Sequence, residues 1–370
     1  MIVFLAMKDQ ANMGYLFSQC LKAVGVEACA IGFRPINRDK EKQARIYKVN
    51  WLDDPVSKRN KLEETKDISR GFVAHYGLPP FPLWTYRFDK EEEYQEFSQI
   101  IKDAWIVVWM HSQFQQIIHG PRAKNYAVFH GGSWYRNNPQ KMNEIFNRLV
   151  NVSLIQTGDL LDLGAKNEKW ILPGIDTDAI QPHYSFAGGE KIIIGHFPSK
   201  PAIKGTEAIN EVITMLKESR GLADRFEYRT SEGDYPECLV PWEENLQRMA
   251  PCDIYIEGLN LQLNGKPYGE WGVTTLEAAA LGCVPVSHFL SAERYKKDYG
   301  ECPVYVANTK GQLAMQLIML LSLSQEKLLR EKMLARRWVQ MQHSYTATGW
   351  RLKEALGIDD WRLMIEKEVA

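Results

Sequence analysis

Short runs of apolar residues recur along the chain, separated by stretches in which the apolar positions return every three or four residues. IVFLAM (2–7), EACAIGF (27–33), WIVVWMH (105–111), YAVFH (126–130), NVSLIQT (151–157) and KWILP (169–173) form a first series. Between the first two, YLFSQCLKAVG (15–25) has helical spacing and ends near Gly25. Apolar runs of this length, spaced by helices, predict parallel strands buried on both faces of a sheet. The stretch from 34 to 104 stays unassigned, because it mixes the charged KEEEYQEF (90–97) with the turn-rich GLPPFPLW (77–84).

The pattern restarts after a loop at 174–190 that contains Pro182, Gly188 and Gly189. KIIIGHF (191–197) reads as a strand and TEAINEVITMLKESRG (206–221) as a helix. FEYRT (226–230), DIYIEG (253–258), VPVSHF (284–289) and PVYVA (303–307) read as strands, with TTLEAAALG (274–282) as a helix. Residues 311–341 give one or two long helices, and 345–369 two amphipathic ones with a break at Gly357. There is no fixed repeat of roughly 20–50 residues. Two successive α/β arrays predict two Rossmann-like, doubly wound domains, 1–183 and 184–344, and the resemblance given below implies that 345–370 completes the first. In such sheets ligands bind beyond the carboxyl ends of the strands.

Length and composition fit this picture. A chain of 370 residues suits two domains of ordinary size. The net charge of −1 provides no basic field for nucleic acid or an anionic membrane. Cys20, Cys29, Cys238, Cys252, Cys283 and Cys302 are scattered without a CxxC, which predicts reduced thiols and a cytoplasmic setting. MIVFLAM is too short for a signal segment and fits a first buried strand, and no run of 18 apolar residues predicts a membrane span. The amphipathic tail leaves a weak membrane-surface association open, although its nearly balanced charge favours packing against the protein.

Candidate chemistry concentrates in the second array. In YGEWGVTTLEAAALGCVPV (268–286), Gly272 stands where the chain turns into a helix, and Glu277 lies one turn further. A helix N-terminus presents free N–H groups and partial positive charge to an anion, and glycine permits close approach. A carboxylate at Glu277 suits two vicinal hydroxyls; the plainer alternative has it complementing the helix dipole, with Glu270 a solvated turn residue. HFPSKPAIKGTEAI (196–209) puts Lys200 and Lys204 on a strand-to-helix loop, either to neutralise a diphosphate or simply as solubilising lysines. His111 and His119 fit structural roles, and Trp134 and Tyr135 fit either sugar stacking or internal packing. Asp176 and Asp178 form a DTD that suits a divalent cation in principle, although the resemblance given below implies an interdomain segment there.

LPGIDTDAIQP (172–182), HFPSKPAIKGTEAI, CDIYIEG (252–258) and GEWGVTTLEAAALGCVPV (269–286) follow one another in order. Together they resemble the GT-B glycosyltransferases of family 4, a retaining, nucleotide-sugar-dependent group with motifs of the form IPNGVD, GR…KG, ADxxVxPS and EGFGxxxxEAxAxGxPV. ANMGYLFSQCLKAVGVEA (11–28) is similar to that family's glycine loop and first helix. The resemblance implies two domains facing across a cleft, a C-terminal helix crossing back to the first, and no cofactor or metal.

It also implies roles for single residues. Glu277 would hold the nucleotide ribose; Gly272, Val273, Thr274 and Lys204 would contact the donor's diphosphate, with Gly14 approaching from the other side. His130, ending YAVFHGG, would stand at the anomeric centre and Glu270 at the sugar, as the catalytic candidates. The sequence departs from the pattern in four places. Gly269 occupies the family's first Glu position, with Glu270 one residue later; the loop lacks an arginine, for which Lys200 or His196 would substitute. Gly14 stands alone where a pair is common, and IEG replaces VxPS, which puts Glu257 at a strand end near the implied site.

The expected function is metal-independent, retaining transfer of a sugar from a UDP- or GDP-sugar to the hydroxyl of a glycan, lipid-linked or other acceptor. Amide dipoles and lysines aimed at the departing diphosphate would supply most of the acceleration. The alternative is a catalytically degenerate GT-B subunit that binds a sugar or a partner. A sugar-nucleotide epimerase of the same architecture fits LEAAALG and KGT less well.

Overall fold

The computed structural model describes residues 1–8, 12–34, 45–46, 49–51, 86–88, 90–112, 123–184, 191–231 and 240–358. They fall into two compact units, residues 1–174 with the chain from Thr348 onward, and residues 175–347.

The first unit begins with β1 (Ile2–Lys8), α1 (Met13–Ala23), β2 (Ala28–Arg34) and β3 (Arg45–Ile46), followed by an antiparallel pair, β4 (Val49–Trp51) and β5 (Tyr86–Phe88). Then come α2 (Glu91–Asp103), β6 (Ile106–Met110), β7 (Asn125–His130), α3 (Gly132–Asn137), α4 (Pro139–Leu149), β8 (Val152–Ile155) and β9 (Glu168–Trp170). Seven parallel strands form one sheet in the order β3-β2-β1-β6-β7-β8-β9. Val3 pairs with Cys29 on one side and Val107 on the other, at the centre of the sheet. β6 is buried along its whole length, which explains its unbroken apolar run. Phe17 of α1 packs 5.8 Å from Phe4 and 5.1 Å from Phe129, closing one face of the sheet.

Helices in this unit that were not anticipated include α2 and α4, besides the short α3. In α2 three glutamates occupy the first turn, where they complement the helix dipole, and Phe97 and Ile101 form a narrow apolar stripe. In α4, Pro139 starts the helix and Met142, Ile145 and Phe146 face inward at helical spacing. GLPPFPLW (77–84), His119 and the second helix expected in the tail lie outside the described residues.

The second unit contains β10 (Ile192–His196), α5 (Pro201–Lys204), α6 (Thr206–Glu218), β11 (Phe226–Thr230), α7 (Trp242–Met249) and β12 (Ile254–Ile256). An antiparallel pair, β13 (Gln262–Leu263) and β14 (Lys266–Pro267), leads into α8 (Val273–Ala280), β15 (Val284–Ser287), α9 (Ala292–Tyr299) and β16 (Tyr305–Val306). The unit ends with α10 (Lys310–Leu321) and α11 (Gln325–Gln342), so the long apolar stretch is two helices, with the Ser324 side chain capping the second. Five parallel strands run β11-β10-β12-β15-β16. Ile194, Ile254 and Val284 lie in register across the centre, and Val212, Leu216, Leu317 and Leu328 pack in the same core.

The units divide at Gly174/Ile175 and at Ala347/Thr348, where the sequence reading drew 183/184 and 344/345. The first shift has a physical cause. Buried Arg336 of α11 donates to the carbonyls of Thr177, Ile180 and Ala280, and His183 N–H donates to Leu281 O, which ties 177–183 to α8 and α11. From Thr348 onward, α12 (Tyr345–Ala355) belongs to the first unit, where Gly349 lets it lie close against α1. A Cβ there would strike the carbonyl of Cys20 in α1.

Beneath the second sheet lies an ion pair with both side chains fully buried. Lys332 Nζ donates to Asp253 Oδ1 at 2.8 Å, and Asp253 Oδ2 accepts from Ile193 N–H at 2.9 Å. The pair ties α11 to both β10 and the start of β12. Removing one partner strands a charge in a low-dielectric core. Lys332→Met is therefore expected to cost about 3–5 kcal/mol of unfolding free energy, read from denaturant midpoints. Lys332→Met with Asp253→Asn is expected to recover part of that loss.

Candidate functional site

At the carboxyl ends of β10, β12 and β15, glycines let the backbone come close. Gly205 joins α5 to α6 in the left-handed conformation (φ 71°), and a Cβ there would lie 2.7 Å from Leu259 O. Gly258 follows β12, and a Cβ on it would lie 3.1 Å from Lys204 O. Leu259 N–H donates to that same carbonyl at 2.9 Å. The Lys204 backbone is thereby held against the chain that leaves β12.

The Lys204 ammonium donates to Glu257 Oε1 in an ion pair whose carboxylate is 2% exposed. Burial alone would push the ammonium pKa down, but the charges of Glu257 and Tyr268 and the hydrogen bond that Lys204 donates to Glu257 hold it above its ordinary value. Gly272 starts α8 directly beside this pair. A Cβ on Gly272 would lie 3.1 Å from Glu257 Oε1 and 3.7 Å from Lys204 Nζ. Val273 and Thr274 form the first turn of α8, whose leading N–H groups have no partner within the helix.

One turn further, Glu277 is buried and its Oε1 accepts from Trp242 Nε1 at 2.6 Å. Burial raises its carboxyl pKa to about 7 against the lowering effect of that hydrogen bond, and the charge of Glu257 adds to the rise. Glu270 is only 5% exposed, so it is not a solvated turn residue. The second unit thus brings Lys204, Gly272, Val273, Thr274 and Glu277 to one edge of its sheet, with Glu270 in the segment just before α8. Lys200, the N-cap of α5, is exposed.

His196 cannot substitute for the missing arginine, which corrects that expectation. It is wholly buried, with Nδ1 2.8 Å from Ile256 O and Nε2 2.9 Å from Thr206 Oγ1. With Nδ1–H donating to the carbonyl, Nε2 accepts from the threonine, and burial pushes the imidazole pKa down to about 4. This neutral ring clamps the start of α6 to β12. Two further side chains at this edge had no sequence signal. Trp242 enters from α7, and His288 follows β15 with Nδ1 3.2 Å from Gly258 O.

Gly14 and His130 belong to the first unit. Gly14 is buried in the first turn of α1, beyond Asn12, which takes a left-handed φ of 58°. His130 is fully buried at the end of β7, its ring stacked 4.0 Å from Tyr135 and its Nδ1 2.8 Å from Ser112 Oγ. Burial pushes its pKa down to about 3, so the imidazole is neutral. His111 and Ser112 both have positive φ, 57° and 59°, a costly conformation for non-glycine residues. Tyr135 is not free to stack on a sugar, because its ring covers His130 and its hydroxyl donates to Asn143. Trp134 is exposed, and buried Arg136 pairs with Asp159 at 2.6 Å.

Asp176 Oδ1 accepts from Ala179 N–H at 2.9 Å and so closes a local turn. Among the described residues no group of three or more His, Cys, Asp and Glu side chains is placed to hold a metal ion, and no helix is long and apolar enough to cross a membrane.

Solved structures share the fold across nearly the whole chain. HepE from Anabaena, in complex with UDP-glucose, matches with a TM-score of 0.57 at 12% identity, over 96% of this chain and 99% of its own. The chain has the GT-B fold. Sucrose-phosphate synthase from Thermosynechococcus elongatus matches at 0.54 and 10% identity, over 99% of this chain and 100% of its own. The N-terminal domain of trehalose-6-phosphate phosphatase from Candida albicans matches at 0.55 and 13%, over 96% of each chain. Identities this low speak for the fold alone. No protein-family model matches the chain, nor does any curated protein.

The raised pKa of Glu277 has a consequence for stability. A carboxyl whose pKa moves from 4.5 unfolded to about 7 folded stabilises the fold most below pH 4.5, and that contribution is lost as pH rises through 7. Between pH 5 and pH 8 the native protein is expected to lose more unfolding free energy than Glu277→Gln, as read by denaturant titration at each pH.

Proposed function

We propose that the protein is a retaining glycosyltransferase of the family 4 type, which moves a sugar from a UDP- or GDP-sugar to an acceptor hydroxyl without a metal ion. The observation that carries this reading is the convergence of Lys204, the Gly272 turn and Glu277 at the carboxyl edge of one parallel sheet. The fold supports it, because HepE, a structure with the same fold, was solved with UDP-glucose bound.

In this reading the diphosphate rests on the N–H groups of Val273 and Thr274 and on the Lys204 ammonium. Gly272 leaves room for it to approach the helix. As the bond from the anomeric carbon to the diphosphate oxygen breaks, negative charge grows on the leaving group. Fixed amide dipoles and an ammonium already in place meet that charge with little reorganisation. Glu277, with Trp242 holding one oxygen, takes the ribose hydroxyls, and Glu270 the sugar. The first unit carries the acceptor-side candidates, His130 and Gly14.

A second reading, a binding subunit without turnover, draws on one specific observation. Lys204 is already paired with Glu257, so its charge is partly spent inside the protein. The fold also occurs in the phosphatase N-terminal domain from Candida albicans, so architecture alone does not decide.

Calorimetric titration with UDP, GDP and ADP, with and without EDTA, separates the readings. One nucleotide is expected to bind in the micromolar range, indifferent to EDTA. In Glu277→Ala the affinity is expected to fall about tenfold or more, as for a lost hydrogen bond to a charged group. Binding abolished by EDTA overturns metal independence. No binding of any nucleotide leaves the binding-subunit reading in place.

A further inference from the structure

Where the family pattern resembled above has VxPS, this chain has IEG, and Glu257 ends up in contact with both elements of the proposed diphosphate site. Its carboxylate pairs with the Lys204 ammonium, and the same Oε1 is the nearest atom to the open side of Gly272 at the head of α8. Glu257 is 2% exposed at its side chain and follows directly from β12, so strand and sheet fix where the carboxylate stands. An ammonium beside a helix N-terminus is an anion site. Here the anion belongs to the protein.

We propose that Glu257 is a built-in counter-ion that fills the anion position formed by Lys204 and the start of α8, so that a donor diphosphate binds by displacing it. The inference rests on the donor-site reading above. It assigns Glu257 to setting the affinity for the diphosphate group, not to chemistry at the sugar. Without a ligand, the carboxylate compensates an ammonium whose side chain is only 19% exposed. With a diphosphate present, two anions compete for one ammonium, and the neighbouring Glu277 carboxyl adds to the repulsion. The nearby rings of His196 and His288 are buried with lowered pKa values, so they bring no positive charge to offset it.

The competition makes Glu257 a brake on diphosphate binding that leaves nucleoside contacts alone. The test is titration of UDP, GDP and ADP, and of uridine, guanosine and adenosine, against the native protein and Glu257→Gln. The amide keeps the shape and can still accept from Lys204, but it carries no charge. The nucleoside diphosphate that binds the native protein is expected to bind Glu257→Gln about tenfold tighter or more at low salt, with its nucleoside within about twofold. Equal or weaker diphosphate binding by a variant that melts like the native protein overturns the proposal and makes Glu257 a holder of Lys204. If Glu257→Gln does not fold, Glu257→Asp, whose shorter carboxylate pairs less well, is expected to bind a few-fold tighter, and an unchanged affinity overturns the proposal. If neither native protein nor variant binds any of the three diphosphates, the donor-site reading falls, and the counter-ion with it. Native binding unchanged in the variant removes the counter-ion alone.

Discussion

The ammonium of Lys204, held between the Glu257 carboxylate and the turn into α8, is the constraint on which the second unit's working edge depends. Three backbone segments meet there: the α5–α6 junction, the exit of β12 and the start of α8. Each carries a glycine at the point of contact, Gly205, Gly258 and Gly272, and a Cβ on any of them would press on a neighbouring segment. The charge pair fixes the polarity of that junction, and the absence of three side chains fixes its spacing. Neither feature accounts for the arrangement alone.

Electrostatics at this edge are unusual for the proposed anion site. Burial sets most of the balance. It neutralises His196 and lowers the pKa of His288, lifts Glu277 toward pH 7, and leaves Lys204 charged because Glu257 stands beside it. The deeper pair, Lys332 with Asp253, does a different job. It is sealed from solvent on both sides and ties α11 to β10 and the start of β12. The Lys204–Glu257 pair leaves its cation 19% exposed at a sheet edge, where the proposed diphosphate would compete for it. The other is locked in the core, where nothing can.

The first unit has a comparable concentration of polar groups at the end of β7. Ser112 holds the Nδ1 side of His130, Tyr135 covers one ring face, and the backbone at His111 and Ser112 is strained to allow it. Such strain persists only where surrounding structure over-determines it. Here β6 and β7, paired from Ile106 to Met110, provide that frame.

The sequence by itself determined the two-unit plan and the strands of both parallel sheets except β3, which lies in the stretch left unassigned. A parallel strand covered on both faces has to be apolar throughout, so IIIGH, IYI and VPV betray themselves without any knowledge of their neighbours. Gly272, Glu277 and Lys204 stood out as candidates for chemistry because residue type and distance from a helix start are local properties. Helices such as α2 escaped notice because their apolar stripe is two residues wide amid charge. Tertiary structure alone decided which groups became partners. Glu257 lies 53 residues from Lys204, and Trp242 lies 35 residues from Glu277. His196 looks like a spare cation in sequence and is a neutral clamp in the fold, because its protonation follows from burial and from two hydrogen bonds that long-range packing creates.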